Sequence, residues 1–281
     1  MVTIGVAGFG AKELDYVPTS GDGWKLVRLA AKKRKVTTHA LSDARLDAVA
    51  LFDPNREKAR LAEKALLSKK HVLIDFPATD VVEKARKLQA IASERNLCLD
   101  SPNLLRTEPG FQELKRMIAG SSNKMFSLTV GCGVGVRDMS HEFSMKLAQL
   151  LDLMEWLSSS KIKDVSGERS TKHAPTAALV ALISYDNEVK GMLNMYSAPT
   201  VEHVRLWVDV VFEDSVVHVD PYAQSVRIAP FRGKSSDVNW ATESLVTAIE
   251  IFVAHINGEP KPLDLQNLER MLNIARVLIG G

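Results

Sequence analysis

The chain has 281 residues, enough for one large or two ordinary domains. Lys and Arg number 36 against 34 Asp and Glu, with the two signs interspersed, which argues against a nucleic-acid or membrane-surface partner. No apolar run approaches the roughly 20 residues that cross a bilayer, and the start lacks a basic segment followed by an apolar core, so a cytoplasmic protein is expected.

The first apolar run, Val2 to Ala7, ends in Gly8-Phe9-Gly10-Ala11, the strand-then-glycine pattern of a dinucleotide-binding turn. Glycines there let a pyrophosphate approach the backbone, where free N–H groups and a helix dipole hold its charge. The third position of the pattern is Glu13, whose carboxylate repels phosphate, so the motif stands open between a nucleotide turn and a plain strand-turn. Leu14 to Gly23 reads as loop. Trp24 to Lys35 has the spacing of a helix with one apolar side, Val36 to Ala40 that of a brief strand, and Ser42 to Leu46 that of a turn. The acidic residue that would meet the ribose hydroxyls about 20 residues after the glycines has no clear counterpart.

Ala48 to Phe52 and His71 to Ile74 are runs of buried-strand length, separated by a helix-patterned segment opened by Asp53, Pro54 and Asn55. That is a βαβ unit with parallel strands. Ligands of such sheets lie beyond the strands' carboxyl ends, here Phe52-Asp53-Pro54-Asn55 and Asp75-Phe76-Pro77. After Pro77, Thr79 is expected to cap a helix reaching Arg95, followed by a strand over Leu97 to Leu99 and a helix over Pro109 to Ile118. Gly120-Ser121-Ser122-Asn123 marks a domain boundary. Lys32-Lys33-Arg34-Lys35 and Lys69-Lys70 read as solvated helix ends. Cys98 and Cys132 lack a CxxC partner and are expected to be buried thiols. No two of His39, His71, His203, His218 and His255 share metal-ligand spacing on one face, so these are read as structural and no metal site is expected.

The order DAVALFDPN, KHVLIDFP, SPNLLRTEP and GFQELKRMI resembles the N-terminal half of the Gfo/Idh/MocA oxidoreductases, the glucose–fructose oxidoreductase and inositol dehydrogenase family. There an Asp-Ala-Val strand ends in Thr-Pro-Asn, and a Gly-Lys-His-Val strand ends in Glu-Lys-Pro. The register from Asp47 to Val72 matches without a gap, and Asn103, Arg106, Pro109 and Phe111 fit the family's next segment.

The second half fits the same pattern. Met125 to Cys132 is strand-like and a helix spans Phe143 to Leu157. Strands then follow at Ala177 to Tyr185, Val189 to Tyr196, Val204 to Phe212, Val216 to Val219 and Ser225 to Ile228, with turns at Asp186-Asn187 and Glu213-Asp214-Ser215. Alternation sets Val204, Leu206, Val208 and Val210 against Arg205, Trp207 and Asp209. Two helices close the chain, Thr242 to Ile256 and Leu265 to Leu278. The expected fold class is an α/β Rossmann-like domain with a parallel sheet over 1–120, shortened in its first half. An α+β domain with a mainly antiparallel open sheet is expected over 121–281, the last helix packing back on the first domain.

The resemblance implies an NAD- or NADP-dependent oxidoreductase of sugar or polyol dehydrogenase type, forming homo-oligomers through the open sheet face. By resemblance, the cofactor meets Gly8, Phe9, Gly10, Ala11, Phe52, Asp53, Pro54, Asn55, Asp75, Phe76 and Pro77. Asn103, Arg106, Gln149, Lys172 and His173 line the substrate cleft, with Arg106 otherwise a salt-bridge partner near Glu108. The family moves a proton with the Lys of Glu-Lys-Pro and with an Asp and a His one helical turn apart. Those positions hold Phe76, Met145 and Gln149 here, so the catalytic residues are unknown; His141 and Glu142, just before that helix, are the nearby alternatives. Either family turnover is weak or absent, or the chain is a non-catalytic binding or regulatory relative using the same cleft.

Overall fold

The structure is a computed structural model describing residues 1–7, 18–29, 41–52, 57–121, 124–135, 141–173, 176–198, 205–239, 244–258 and 261–280. It divides into two compact units, Met1–Leu104 with Glu243–Glu269, and Leu105–Thr242 with Arg270–Gly281.

The first unit is built on strands β1 (Val2–Ala7), β2 (Ser20–Gly21), β3 (Trp24–Arg28), β4 (Ala48–Leu51), β5 (His71–Ile74) and β6 (Leu99–Asp100), in the order β2-β3-β1-β4-β5-β6. All neighbours from β3 to β6 are parallel, and β2 pairs antiparallel with β3. Helices α1 (Lys58–Leu67) and α2 (Val82–Glu94) are the crossovers that parallel strands require. Because strand side chains alternate, each strand serves two cores. Val49, Leu51, Val72 and Ile74 pack with Ala62, Ala65, Leu66 and Leu88 of the crossover helices. Ile4, Val6, Ala48, Ala50 and Leu73 pack instead with Leu245, Ile249 and Phe252 of a helix that arrives from the far end of the chain, Ser244–Asn257.

Three local expectations are corrected. The helix expected from Trp24 is strand β3, because five residues suffice for a strand and Trp24 is taken into the core opposite Val2, overriding the helical spacing. The turn before it is closed by Gly23, whose φ of +75° a side chain rarely adopts, and Val2 N–H donates to the Gly23 carbonyl. Thr79 does not cap α2: Val81 holds the N-cap position, and Thr79 Oγ1 accepts from Val81 N–H at 3.3 Å. Lys70 is no solvated helix end; it is buried, with Nζ donating to the Leu46 carbonyl at 2.6 Å. The brief strand expected at 36–40 lies outside the described residues.

The second unit contains helices α3 (Leu104–Thr107), α4 (Pro109–Gly120) and α5 (His141–Ser158). Its sheet comprises β7 (Met125–Val134), β8 (Ile162–His173), β9 (Thr176–Tyr185), β10 (Lys190–Ser197), β11 (Arg205–Phe212), β12 (Ser215–Asp220), β13 (Ser225–Pro230) and β14 (Ser236–Asn239). The order is β14-β13-β12-β11-β7-β10-β9-β8, antiparallel throughout except for β7 with β10. β8 and β14, absent from the sequence reading, are the two edge strands; their polar, exposed side chains hide the apolar alternation by which strands are read. Leu206, Val208 and Val210 are buried, while Val180, Leu182, Met192 and Tyr196 of the opposite face are exposed. With Ser244–Asn257 as α6, the last helix is α7 (Leu265–Gly280).

Candidate functional site: the carboxyl edge of the parallel sheet

In the first unit the strand order reverses at β1, which is flanked by β3 on one side and by β4 on the other. Leu29 N–H donates to the Val6 carbonyl at 3.0 Å and Phe52 N–H to the Ala7 carbonyl at 2.9 Å, so both neighbours bracket β1 where the sequence runs into Gly8. Such a switch point opens a crevice beyond the strand ends. Gly8, Phe9, Gly10, Ala11, Asp53, Pro54 and Asn55 lie outside the described residues.

The remaining cofactor-edge residues come together. Asp75 N–H reaches the Leu51 carbonyl at 3.3 Å, setting the end of β5 beside that of β4. Phe52, Phe76 and Pro77 are buried, and the Phe76–Pro77 peptide is cis. Phe76 N–H donates to the Pro102 carbonyl, which draws the segment after β6 alongside, with Asn103 buried there. Asp75 is half-buried and its carboxylate is 2.8 Å from Nζ of Lys58, a buried lysine in the first turn of α1 that also donates to the Asp75 carbonyl. The sequence reading missed Lys58, which looks like any helical lysine; only its proximity to the 53–55 loop hinted at it.

Two more polar features mark this edge. Ser101 Oγ, after β6, is buried without a hydrogen-bond partner among the described residues. His255 Nδ1 of α6 lies 2.7 Å from Asp100 Oδ2 at the end of β6. A nicotinamide dinucleotide fits this frame: the order reversal supplies the crevice, and the orphaned Ser101 hydroxyl is a polar atom that a ligand group could satisfy.

In the second unit Met145 and Gln149 lie one turn apart on α5, with Met145 buried and Gln149 Oε1 accepting from Lys146 Nζ at 3.1 Å. Further along the same helix is Asp152, whose side chain is 2 % exposed. Arg106 grips it through Nε at 2.8 Å and also through Nη2. Its ion-pair partner is therefore Asp152, a contact no local spacing announces. The guanidinium also lies 6.0 Å from the Trp156 ring centroid, with Lys115 Nζ at 5.4 Å. Burial, with Arg106 second, holds the Lys115 ammonium below its ordinary pKa. Lys172 and His173 end β8, and His141 begins α5. Among the described residues no group of three or more His, Cys, Asp or Glu is placed to hold a metal ion.

A mostly parallel sheet with a switch point at its first strand defines a Rossmann-like, doubly wound first unit, and the second unit holds a mainly antiparallel open sheet. Residues 1–101 match the family GFO_IDH_MocA, described as "Oxidoreductase family, NAD-binding Rossmann fold". The "Uncharacterized oxidoreductase YdgJ" of Escherichia coli (strain K12) is 28% identical over 119 residues, a stretch covering 41% of this chain and 33% of that relative. The UDP-N-acetylglucosamine 3-dehydrogenase GnnA from Acidithiobacillus ferrooxidans shares the fold with a TM-score of 0.72 at 22% identity, over 98% of this chain and 96% of that one. GenD2 from gentamicin A biosynthesis, in complex with NAD, gives 0.74 at 16% identity over 99% and 93%.

Proposed function

We propose that this chain binds a nicotinamide dinucleotide at the carboxyl edge of the parallel sheet and belongs with the sugar and polyol dehydrogenases. We propose further that its turnover in that chemistry is weak or absent. The observation carrying the second part is Phe76. Phe76, two residues beyond the β5 end, is 7 % exposed and aromatic, so it offers no proton donor or acceptor where the related enzymes place a lysine. Met145 cannot titrate, and Gln149 can hold a hydroxyl but cannot take its proton. When bound, the cofactor supplies the hydride acceptor or donor; the described part of the chain supplies the Lys58–Asp75 pair and a polar edge.

Support for the substrate class comes from likeness to GnnA, and for the cofactor from the family match and the NAD of GenD2. The exposed apolar residues Val180, Leu182 and Met192 favour a homo-oligomer through that sheet face. Two buried free thiols, Cys98 and Cys132, suit the reducing cytoplasm.

The test is a titration with NADH and NADPH followed by nicotinamide fluorescence and thermal shift, then dehydrogenation assays on polyols, aldoses and nucleotide-activated sugars. Binding with little turnover is expected. Rapid turnover of these substrates would sink the weak-turnover reading, and no binding at millimolar nucleotide would favour a cofactor-free binding or regulatory protein. Light scattering of the native chain and of Leu182→Asp checks the oligomer.

A further inference from the structure

Lys146 is a cation without a counter-ion. It stands in the second turn of α5, half-buried, between Met145 and Leu147, which are both buried. Its Nζ donates to Gln149 Oε1 at 3.1 Å, a neutral amide oxygen that cannot balance its charge. Glu142, one turn earlier, is exposed and makes no ion pair with it, and among the described residues no other carboxylate does. An ammonium partly withdrawn from water is held at a cost unless an opposite charge meets it. Its surroundings are equally short of partners. Burial pushes the Cys132 thiol up and the Lys146 charge opposes that, so the ammonium lies near Cys132. Cys132 pairs with Met195 across the parallel strands β7 and β10, and the next pair on the same face is Val134 with Ser197. Ser197 is fully buried, and its Oγ is a second polar group at this end of the sheet for which the described residues supply no partner.

We propose that Lys146 is an anion subsite on α5 and that the sugar-like ligand of this chain is a sugar acid, whose carboxylate pairs with the Lys146 ammonium. This rests on the sugar and polyol reading above and narrows it. One ammonium balances one carboxylate through a charge-assisted hydrogen bond, and Gln149 holds that ammonium against the helix. A neutral polyol or aldose would leave the cation as it stands. The residue therefore selects between ligands of similar shape by their charge.

The experiment measures affinities of the full chain by calorimetry for D-glucuronate, D-glucose and D-glucose 1-phosphate, each with and without millimolar NADH or NADPH. Glucuronate is expected to bind at least about tenfold tighter than glucose, with a gap that narrows as salt rises. Lys146→Met should close the gap by weakening glucuronate, and Lys146→Arg, which keeps the charge, should preserve most of it. A merely structural lysine would lower both affinities in step, and the melting temperature with them. Equal binding of glucuronate and glucose, a gap unchanged in Lys146→Met, tighter binding of glucose 1-phosphate than of glucuronate, or no binding by any of the three would overturn the proposal. Dinucleotide binding is read in the same titrations: if NADH or NADPH binds and glucuronate does not, the subsite fails and the dinucleotide-binding reading stands.

Discussion

The ammonium of Lys58 lies 2.8 Å from the carboxylate of Asp75, joining the first turn of α1 to the end of β5 where both side chains are largely withdrawn from water. Removing one partner strands the other charge in a poorly solvated place, which typically costs about 3–5 kcal/mol. Lys58→Met should therefore lower the urea-unfolding free energy by that order. The double variant Lys58→Met/Asp75→Leu should recover a large part of it, because apolar replacement of both members leaves no orphaned charge. A double variant no more stable than the single one would show that the pair's effect is not electrostatic.

Glu155 anchors the second unit against acid. Burial alone pushes its carboxyl group up, but the Arg270 guanidinium, the Ile162 N–H and Lys161 outweigh that and hold it below the usual carboxylate range. A depressed carboxylate contributes stability that is fully present above the unfolded value, about 4.3, and is lost as pH falls through the folded value. Melting temperatures from pH 7 to pH 3 should fall on that acid limb, and Glu155→Gln should flatten it while starting from a lower value at pH 7.

His71 carries the opposite sort of group with the same sign of dependence. Burial is the larger influence and lowers its pKa despite the nearby Asp47, and its Nδ1 accepts from Cys98 N–H at 2.9 Å, which needs a neutral ring. Folding thus disfavours the proton, so the contribution is complete above the unfolded value of about 6.5 and declines as pH falls below it. Proton NMR should find His71 titrating below the range of exposed histidines.

On the open face of the second sheet, a Cβ added at Gly131 would collide with the Trp207 indole, since the two residues are directly paired across β7 and β11. Gly131→Ala should destabilise by about 1–3 kcal/mol in denaturant unfolding. Adding Trp207→Leu should relieve most of that loss, an outcome that a purely backbone penalty would not produce.

The reach of the sequence follows from how far apart the informative residues are. From Asp47 to Ile118 strand and helix periods were clean and each crossover short, so β4, α1, β5, α2 and α4 could be read locally. The helix expected at β3 is wrong because a five-residue strand that enters a core with Trp24 and Leu26 is indistinguishable from a helical turn until its neighbour β1 is known. β8 was missed because an edge strand need not bury alternate residues. The polar pairs were the least legible: Arg106 with Asp152, and His255 with Asp100, join residues distant in the chain, and nothing local marks either member.

The return of α6 to the first unit has a consequence for how the protein is made. Phe252, Ile249 and Leu245 cover the side of the parallel sheet formed by Ile4, Ala50 and Leu73, yet they are made after residues 105–242 of the second unit. While the nascent chain lacks them, that half of the first core faces water, so the N-terminal unit cannot be completed ahead of the unit encoded after it. Most of the second unit, Leu105–Thr242, lies in sequence between the two segments of the first, and a fragment ending at Gly120 should emerge as a sticky, chaperone-dependent sheet rather than a soluble cofactor-binding domain.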